Sequence, residues 1–158
     1  MPYIVDGNNV MGQRPGWHRD KPKARRRLLE QIAALARAKK VRITVVFDGG
    51  GDREFPEGSA YHGARILYAE PGSDADTRIL RLVEASADAR GITVVTSDRR
   101  LAFAVRACGA KVVRSGVFRR SLDEASEDAT HTADAVRPEG GDIEEWLRYF
   151  GASSPDGR

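Results

Sequence analysis

This sequence predicts an α/β fold, a three-layer sandwich in which a central parallel sheet of about five strands carries helices on both faces. Two observations support that expectation. Short apolar runs alternate with longer segments of helical periodicity, the pattern in which helical crossovers bring parallel strands together. The runs themselves, RITVVF at 42–47 and ITVVT at 92–96 among them, are nearly continuous in apolar residues, as strands covered on both faces are.

Strands are expected at 3–5, 42–47, 65–69, 92–96 and 111–114. A helix is expected over 21–38, where Asp20 and Pro22 are start signals and Leu28, Ile32 and Leu35 share a face. A second helix, over 74–89, repeats Ile79, Leu82, Val83 and Ser86. A third, over 98–108, aligns Leu101, Val105 and Cys108 and stops at Gly109. Residues 48–62 (DGGGDREFPEGSAYH) form a turn-rich loop of a length often tied to function. The domain is expected over 1–126, followed by a polar linker over 127–141. Ile143, Trp146, Leu147 and Phe150 then mark a short amphipathic helix at 142–150 that docks on the domain, and 151–158 are expected to be disordered.

At 158 residues the chain can bury roughly 70% of its unfolded surface in one core. Its longest apolar run is too short for a bilayer, and no basic region precedes an apolar leader. Cys108, the only cysteine, can form neither an internal disulfide nor a thiolate cage. Together these features predict a cytoplasmic protein. The net charge of +3 hides an asymmetry: residues 1–120 hold 23 Lys/Arg against 13 Asp/Glu, whereas residues 121–158 hold 3 against 10. A basic body suits a polyanionic partner, because Lys and Arg near phosphates release counterions. Solvated helix faces are the other source of such charge.

The acids fall at the ends of the strands. Asp6 follows the first, Asp48 the second, Asp74 and Asp76 the third, and Asp98 the fourth. In an open parallel sheet the carboxyl ends share one edge, where ligands bind. Each acid also has a structural reading. Ser73 with Asp76 resembles a capping box, Asp98 suits the cap of the helix after it, and Asp48 suits a turn. Capping does not account for Asp6, which precedes GNN rather than a recognisable helix, nor for all the acids sharing one rim.

Clustered carboxylates repel and persist only when something neutralises them. Hard divalent cations do this with oxygen ligands. No histidine stands at a strand end, so zinc fits poorly, and no serine or cysteine has a histidine partner for nucleophilic catalysis. An aspartate-held metal beside a basic surface suits phosphodiester cleavage.

VDGNN, VVFDG, DADTRI and VVTSD resemble the NYN domains of the YacP type, in the PIN-like ribonuclease superfamily, over roughly residues 2–125. The resemblance implies a PIN-like sandwich and an endoribonuclease, dependent on Mg²⁺ or Mn²⁺, that cuts single-stranded RNA in mRNA turnover or RNA processing. Messenger RNA on the ribosome is one setting for such a partner. The metal-binding acids of the family match Asp6, Asp76 and Asp98, and Asn9 matches an asparagine that positions the site. Asp74 is a further candidate ligand, although many relatives have a neutral residue there. Asp48 and Ser97 are expected to support these residues, and Gly7 to permit a tight turn. Asn8 stands where an aromatic residue is common, which alters the site entrance.

For RNA binding, Arg14, Trp17, His18 and Arg19 lie in the loop after the first strand, on the acid rim. Trp17 suits either stacking on a base or covering the sheet edge. Arg99 and Arg100 follow Asp98 directly and are placed to touch a scissile strand, whereas Arg25, Arg26 and Arg27 suggest a solvated helix face. The alternative function is a non-catalytic RNA- or ribosome-binding module with the same fold; the presence of Asp6, Asp76 and Asp98 favours the enzyme. A haloacid-dehalogenase-type phosphatase would need an acid at Asn8, and a receiver domain a lysine where Arg114 and Ser115 stand.

Overall fold

The computed structural model describes residues 2–49 and 53–130. The chain runs β1 (Pro2–Asp6), α1 (Gly7–Met11), α2 (Lys21–Lys39), β2 (Arg42–Phe47), β3 (Ala60–Tyr61), β4 (Ala64–Tyr68) and α3 (Ala75–Ala85). It continues through β5 (Thr93–Val95), α4 (Arg99–Ala107), β6 (Lys111–Val113) and α5 (Ser115–Thr130). The strands form one sheet in the order β3-β4-β2-β1-β5-β6, and every pairing except β3 with β4 is parallel. The five strands expected from the apolar runs are therefore present and parallel. The sixth, β3, arises inside the 48–62 loop as the first arm of a hairpin. His62 and Gly63, at φ 49° and 94°, make its two-residue turn, the backbone sense that a tight hairpin requires.

Alternation along each strand sorts the core into two layers. Tyr3, Val5, Ile43, Val45, Phe47 and Ile66 are buried with Leu28, Leu29 and Ile32 of α2 and Phe118 and Leu122 of α5. Ile4, Val46, Leu67 and Val94 point to the other face and meet Ile79 and Val83 of α3 and Leu101 and Val105 of α4. Each such aliphatic side chain contributes about 1.5–3 kcal/mol when fully buried, so both helix layers are held by the same strands. The side chain of Asp20 accepts a hydrogen bond from Lys23 N at the start of α2, and Pro22 lies in its first turn, as expected. Gly109, at φ 103°, follows the end of α4.

Three elements differ from the sequence expectation. The second helix ends at Ala85 rather than 89, because Ser86 turns extended (ψ 138°) and Ala89–Gly91 form a separate 3₁₀ turn. Helix α1 was not expected, since five residues containing Gly and two Asn show no usable period. Helix α5 was also missed, although Phe118 and Leu122 sit four apart; its polar residues hid a narrow stripe that α2 covers. Its backbone stays helical to Thr130, into the stretch expected as a linker. The expected helix at 142–150 and tail at 151–158 lie outside the described residues. No described helix is long and apolar enough to cross a membrane.

Gly7 positions the functional rim by close approach. It is helical, not left-handed, so the tight turn expected of it is not what demands glycine. A Cβ there would stand 2.6 Å from two ring carbons of Phe47 and 3.0 Å from Val45 Cγ1. Phe47 is fully buried and cannot yield. Gly7→Ala is therefore expected to cost about 1–3 kcal/mol, the usual range for overpacking, and to push α1 off the sheet. Denaturant melts check the first effect; loss of RNA binding in a variant that is still folded checks the second.

Candidate metal centre

Strand β1 pairs with β2 on one edge and β5 on the other; the crossover from β1 to β2 packs α2 on one face of the sheet, and the crossover from β4 to β5 packs α3 on the other. The carboxyl ends of β1 and β5 thus flank a topological switch point, where open α/β sheets bind ligands. Asp6 is the last residue of β1 and only 4% exposed. A helix does begin directly after it, contrary to expectation, yet the Asp6 side chain makes no capping hydrogen bond. It accepts instead from Thr96 Oγ1 at 3.1 Å, across the β1–β5 seam. Thr96 Oγ1 in turn accepts from Asp98 N at 3.0 Å. One buried hydroxyl therefore fixes Asp6 relative to the turn that carries Asp98.

The neighbouring acids divide between capping and the cleft. Asp74, not Ser73, is the N-cap of α3: its Oδ1 accepts from Thr77 N at 2.9 Å and Thr77 Oγ1 at 2.7 Å. These bonds hold Asp74 below the usual carboxylate range. The capping box expected of Ser73 and Asp76 is thus replaced, and Asp76 is released toward the cleft. Asp48 accepts from Ala75 N at 2.7 Å and ties the end of β2 to the start of α3. Asn8 Oδ1 accepts from Asp48 N at 2.9 Å, so Asn8 serves this tie from within α1. Asp98 caps α4 through Leu101 N at 3.0 Å, as its structural reading predicted. A carboxylate has a second oxygen, and Asp98 also meets Asp76.

Asn9 and Ser97 are hydrogen-bonded to each other. Asn9 Oδ1 accepts from Ser97 N at 2.9 Å and from Ser115 Oγ. Ser97 Oγ accepts from Ser115 N at 3.0 Å, so α1, the turn before Asp98 and the start of α5 lock together. Sequence reasoning overlooked Thr96 and Ser115. Thr96 carried a signal, a polar residue closing an apolar strand two positions before an acid; Ser115 carried none.

Burial pushes the Asp6 carboxyl up to about 6, with Asp48 and Asp98 adding repulsion and the Thr96 hydroxyl opposing it. Burial also pushes Asp76 up to about 7, reinforced by the charges of Asp6 and Asp98. Asp98 moves down, chiefly because Leu101 N–H stabilises its anion. The Asp76–Asp98 pair therefore holds a proton that resides on Asp76, the member without a backbone donor. Asp74, Asp76, Asp98 and Arg100 line an open cleft of about 320 Å³. Among the described residues no three His, Cys, Asp or Glu side chains converge into a ready-made cage. The donor set nevertheless fits a hard cation. All donors are oxygens, two carboxylates stand side by side with a third buried against them, and the cleft leaves room for water and phosphate.

The residues expected to bind RNA are placed less uniformly. Arg100 lines the cleft, and Arg99 is exposed beside it. Arg14 is half-buried and hydrogen-bonded to Asp123. Trp17 is half-buried against the core under α2, and Arg19 is exposed. The run of arginines splits three ways. Arg25 lies 5.0 Å from the Phe47 ring centroid, Arg26 pairs with Glu54, and Arg27 faces a separate pocket.

A helix-sandwiched parallel sheet with aspartates meeting at its switch point is the architecture of a PIN-like nuclease. The chain belongs to the YacP-like NYN family, whose model matches residues 3–148. Domains of this PIN-like kind are ribonuclease-like, imply RNA as substrate and generally use divalent metals. The fold is similar to the crystal structure of Rae1 (YacP) from Bacillus subtilis, with a TM-score of 0.69 and 25% identity over 96% of this chain and 92% of that one. The W164L mutant of that protein gives a TM-score of 0.69 and 23% identity over 94% and 91% of the two chains, a likeness of fold. No curated protein matches this chain in sequence.

The sign of the pH dependence follows from the raised carboxyls. Their stabilising protonation is complete below the unfolded value of 3.8 and is lost as pH rises through about 6 and about 7. In EDTA at about pH 8, Asp76→Asn is expected to melt several degrees above wild type, an advantage that vanishes near pH 4. Thermal melts across pH check this; a variant that melts lower at every pH would make Asp76 a structural residue. A divalent cation should raise the melting temperature of wild type at about pH 8 more than that of the variant.

Proposed function

We propose that this protein is an endoribonuclease that hydrolyses phosphodiester bonds of single-stranded RNA with Mg²⁺ or Mn²⁺ held by Asp6, Asp76 and Asp98. The observation that supports the reading is that Asp6, Asp76 and Asp98 lie near enough at the switch point to repel one another, Asp76 and Asp98 on one cleft and Asp6 buried behind them. Such a cluster costs stability without a cation and gains it back with one. Asp48 ties β2 to α3, and we assign it to shaping the rim; Asp74, which caps α3 through one oxygen and lines the cleft with the rest of its side chain, is a further candidate ligand.

When bound, the cation would neutralise charge developing on the scissile phosphate and lower the pKa of a bound water. The chain supplies the rest. Asp6 holds a fixed place because its strand is paired on both edges and Thr96 anchors its carboxylate. Asn9 steadies the Ser97–Asp98 turn through an acceptor that adds no charge. Asp76, pushed toward protonation by burial and by the charges of Asp6 and Asp98, would be held as the anion by the cation. Arg100, on the cleft wall, offers a charge-assisted contact to a phosphate oxygen.

Cleavage of an end-labelled, mixed-sequence RNA with Mn²⁺, Mg²⁺ or EDTA tests the proposal, comparing wild type with Asp98→Asn. Asn caps a helix as well as Asp, so the variant removes the ligand charge and keeps the fold. Metal-dependent internal cutting should fall by more than about 100-fold, beyond the loss seen when only a ligand's supporting partner is disturbed. An equally active variant would remove Asp98 from the chemistry. Absence of cutting by wild type, with RNA binding intact, would return the non-catalytic RNA-binding module.

A further inference from the structure

Away from the acid cleft, a pocket of about 290 Å³ opens between α1, the loop after it, α2 and α5. Val10, Met11 and Leu28 form apolar wall, and the Trp17 ring stands at the side. The polar lining is mainly cationic, with Arg14, Lys23, Arg27 and Arg119 beside Gln31 and Asp20, the cap of α2. Asp123 of α5, next to the pocket, is already engaged. Arg14 and Gln31 both donate to it, and Arg119 lies 3.7 Å away. Arg27 and Lys23, at the mouth, have no ion pair among the described residues. A second cleft shares Arg119 with this pocket and is lined also by Asp123, Arg114, Arg120 and Ser97. Ser97 precedes Asp98, which lines the acid cleft. Arginines thus line the second cleft and the Trp17 pocket, and the Ser97–Asp98 step is where the second cleft comes next to the acid cleft along the chain.

We propose that this pocket is a nucleobase subsite, occupied by an unstacked base of the RNA strand whose phosphate reaches the acid cleft. The proposal rests on the ribonuclease reading for the identity of the strand, and adds where that strand goes. The volume lies at the small end of ligand pockets, suited to one base or nucleoside rather than to a peptide helix. A flat aromatic side wall and apolar floor recognise the face and edge of a base, while the cations of the pocket and the second cleft recognise the phosphates on either side of it. Lys21 already sits 5.7 Å from the Trp17 ring centroid, a cation over a π-face that a base can join from the pocket side. The subsite makes the enzyme sensitive to whether the base at one position can leave its stack, so paired RNA is excluded there without any reading of sequence.

The test compares two probes in EDTA with the full chain: a short labelled single-stranded RNA, and the same ribose-phosphate chain with its bases removed. Binding is read by fluorescence anisotropy and needs no turnover. Wild type should prefer the base-bearing RNA by roughly tenfold or more, the range of one base stacked on an aromatic ring. Trp17→Ala should bind both probes alike, and Trp17→Phe, which keeps a ring against the core, should restore the preference. Arg27→Glu, on the exposed side of α2, should weaken both probes together and more at low salt. Equal affinity of wild type for the two chains, or a preference that survives in Trp17→Ala, overturns the proposal. A nuclease that cuts yet shows no base preference loses only the subsite. A protein that shows the preference yet never cuts loses only the nuclease reading.

Discussion

Everything at the functional rim depends on one constraint: a carboxylate held out of water at the end of a strand that is paired along both edges. Asp6 cannot move without breaking the register that β1 keeps with β2 and β5. Burial disfavours the ion there, and the Thr96 hydroxyl and the Asn9 backbone N–H offset that only in part, so its pKa rises. The rest of the rim is arranged around that charge. Thr96 links it to the Asp98 turn, Asp76 faces it from α3, and Gly7 lets α1 descend close enough for Asn8 and Asn9 to reach the neighbouring loops.

The acids near it resolve a competition between two uses of the same side chain. A helix beginning at a strand end needs its first N–H groups satisfied, and Asp is among the best residues for that. Asp74 gives one oxygen to this task, and Asp48 reaches across from β2 to share it. Their engagement leaves Asp76, one residue into α3, with no backbone donor of its own. Asp98 does both, because one oxygen suffices for the cap. The result is a graded set of carboxylates, with Asp98 stabilised as an anion by a backbone N–H and Asp76 pushed toward protonation on one cleft, and Asp6 pushed the same way by its burial next to them.

The opposite sign of charge governs the α2 and α5 side. Asp123 draws Arg14, Gln31 and Arg119 to one point and so joins two helices across the layer. This neutralises the interior of that contact while leaving Arg27, Lys23 and Arg114 outward. A polyanion bridging the two regions would meet carboxylates at one end and arginines at the other, which orients it.

By itself the sequence determined the class of fold, the five parallel strands and the acids at their carboxyl ends. These are local: apolar runs long enough to be strands, periodic helices between them, and turn or cap residues at the joins. The Asp20 cap and the stop at Gly109 were legible for the same reason. Only the tertiary structure decided which acids serve the cleft. Ser73 and Asp74 are equally good caps on paper, and the choice between them rests on where β4 delivers the chain against Asp48. Asn9 and Ser97 are separated by 88 positions and Arg14 and Asp123 by 109, so no local pattern links either pair. Helix α5, the hidden glycine contact with Phe47 and the Trp17 pocket likewise depend on surfaces that exist only once the sheet and its two helix layers have closed on each other, because burial and mutual charge are properties of that packing and not of sequence neighbours.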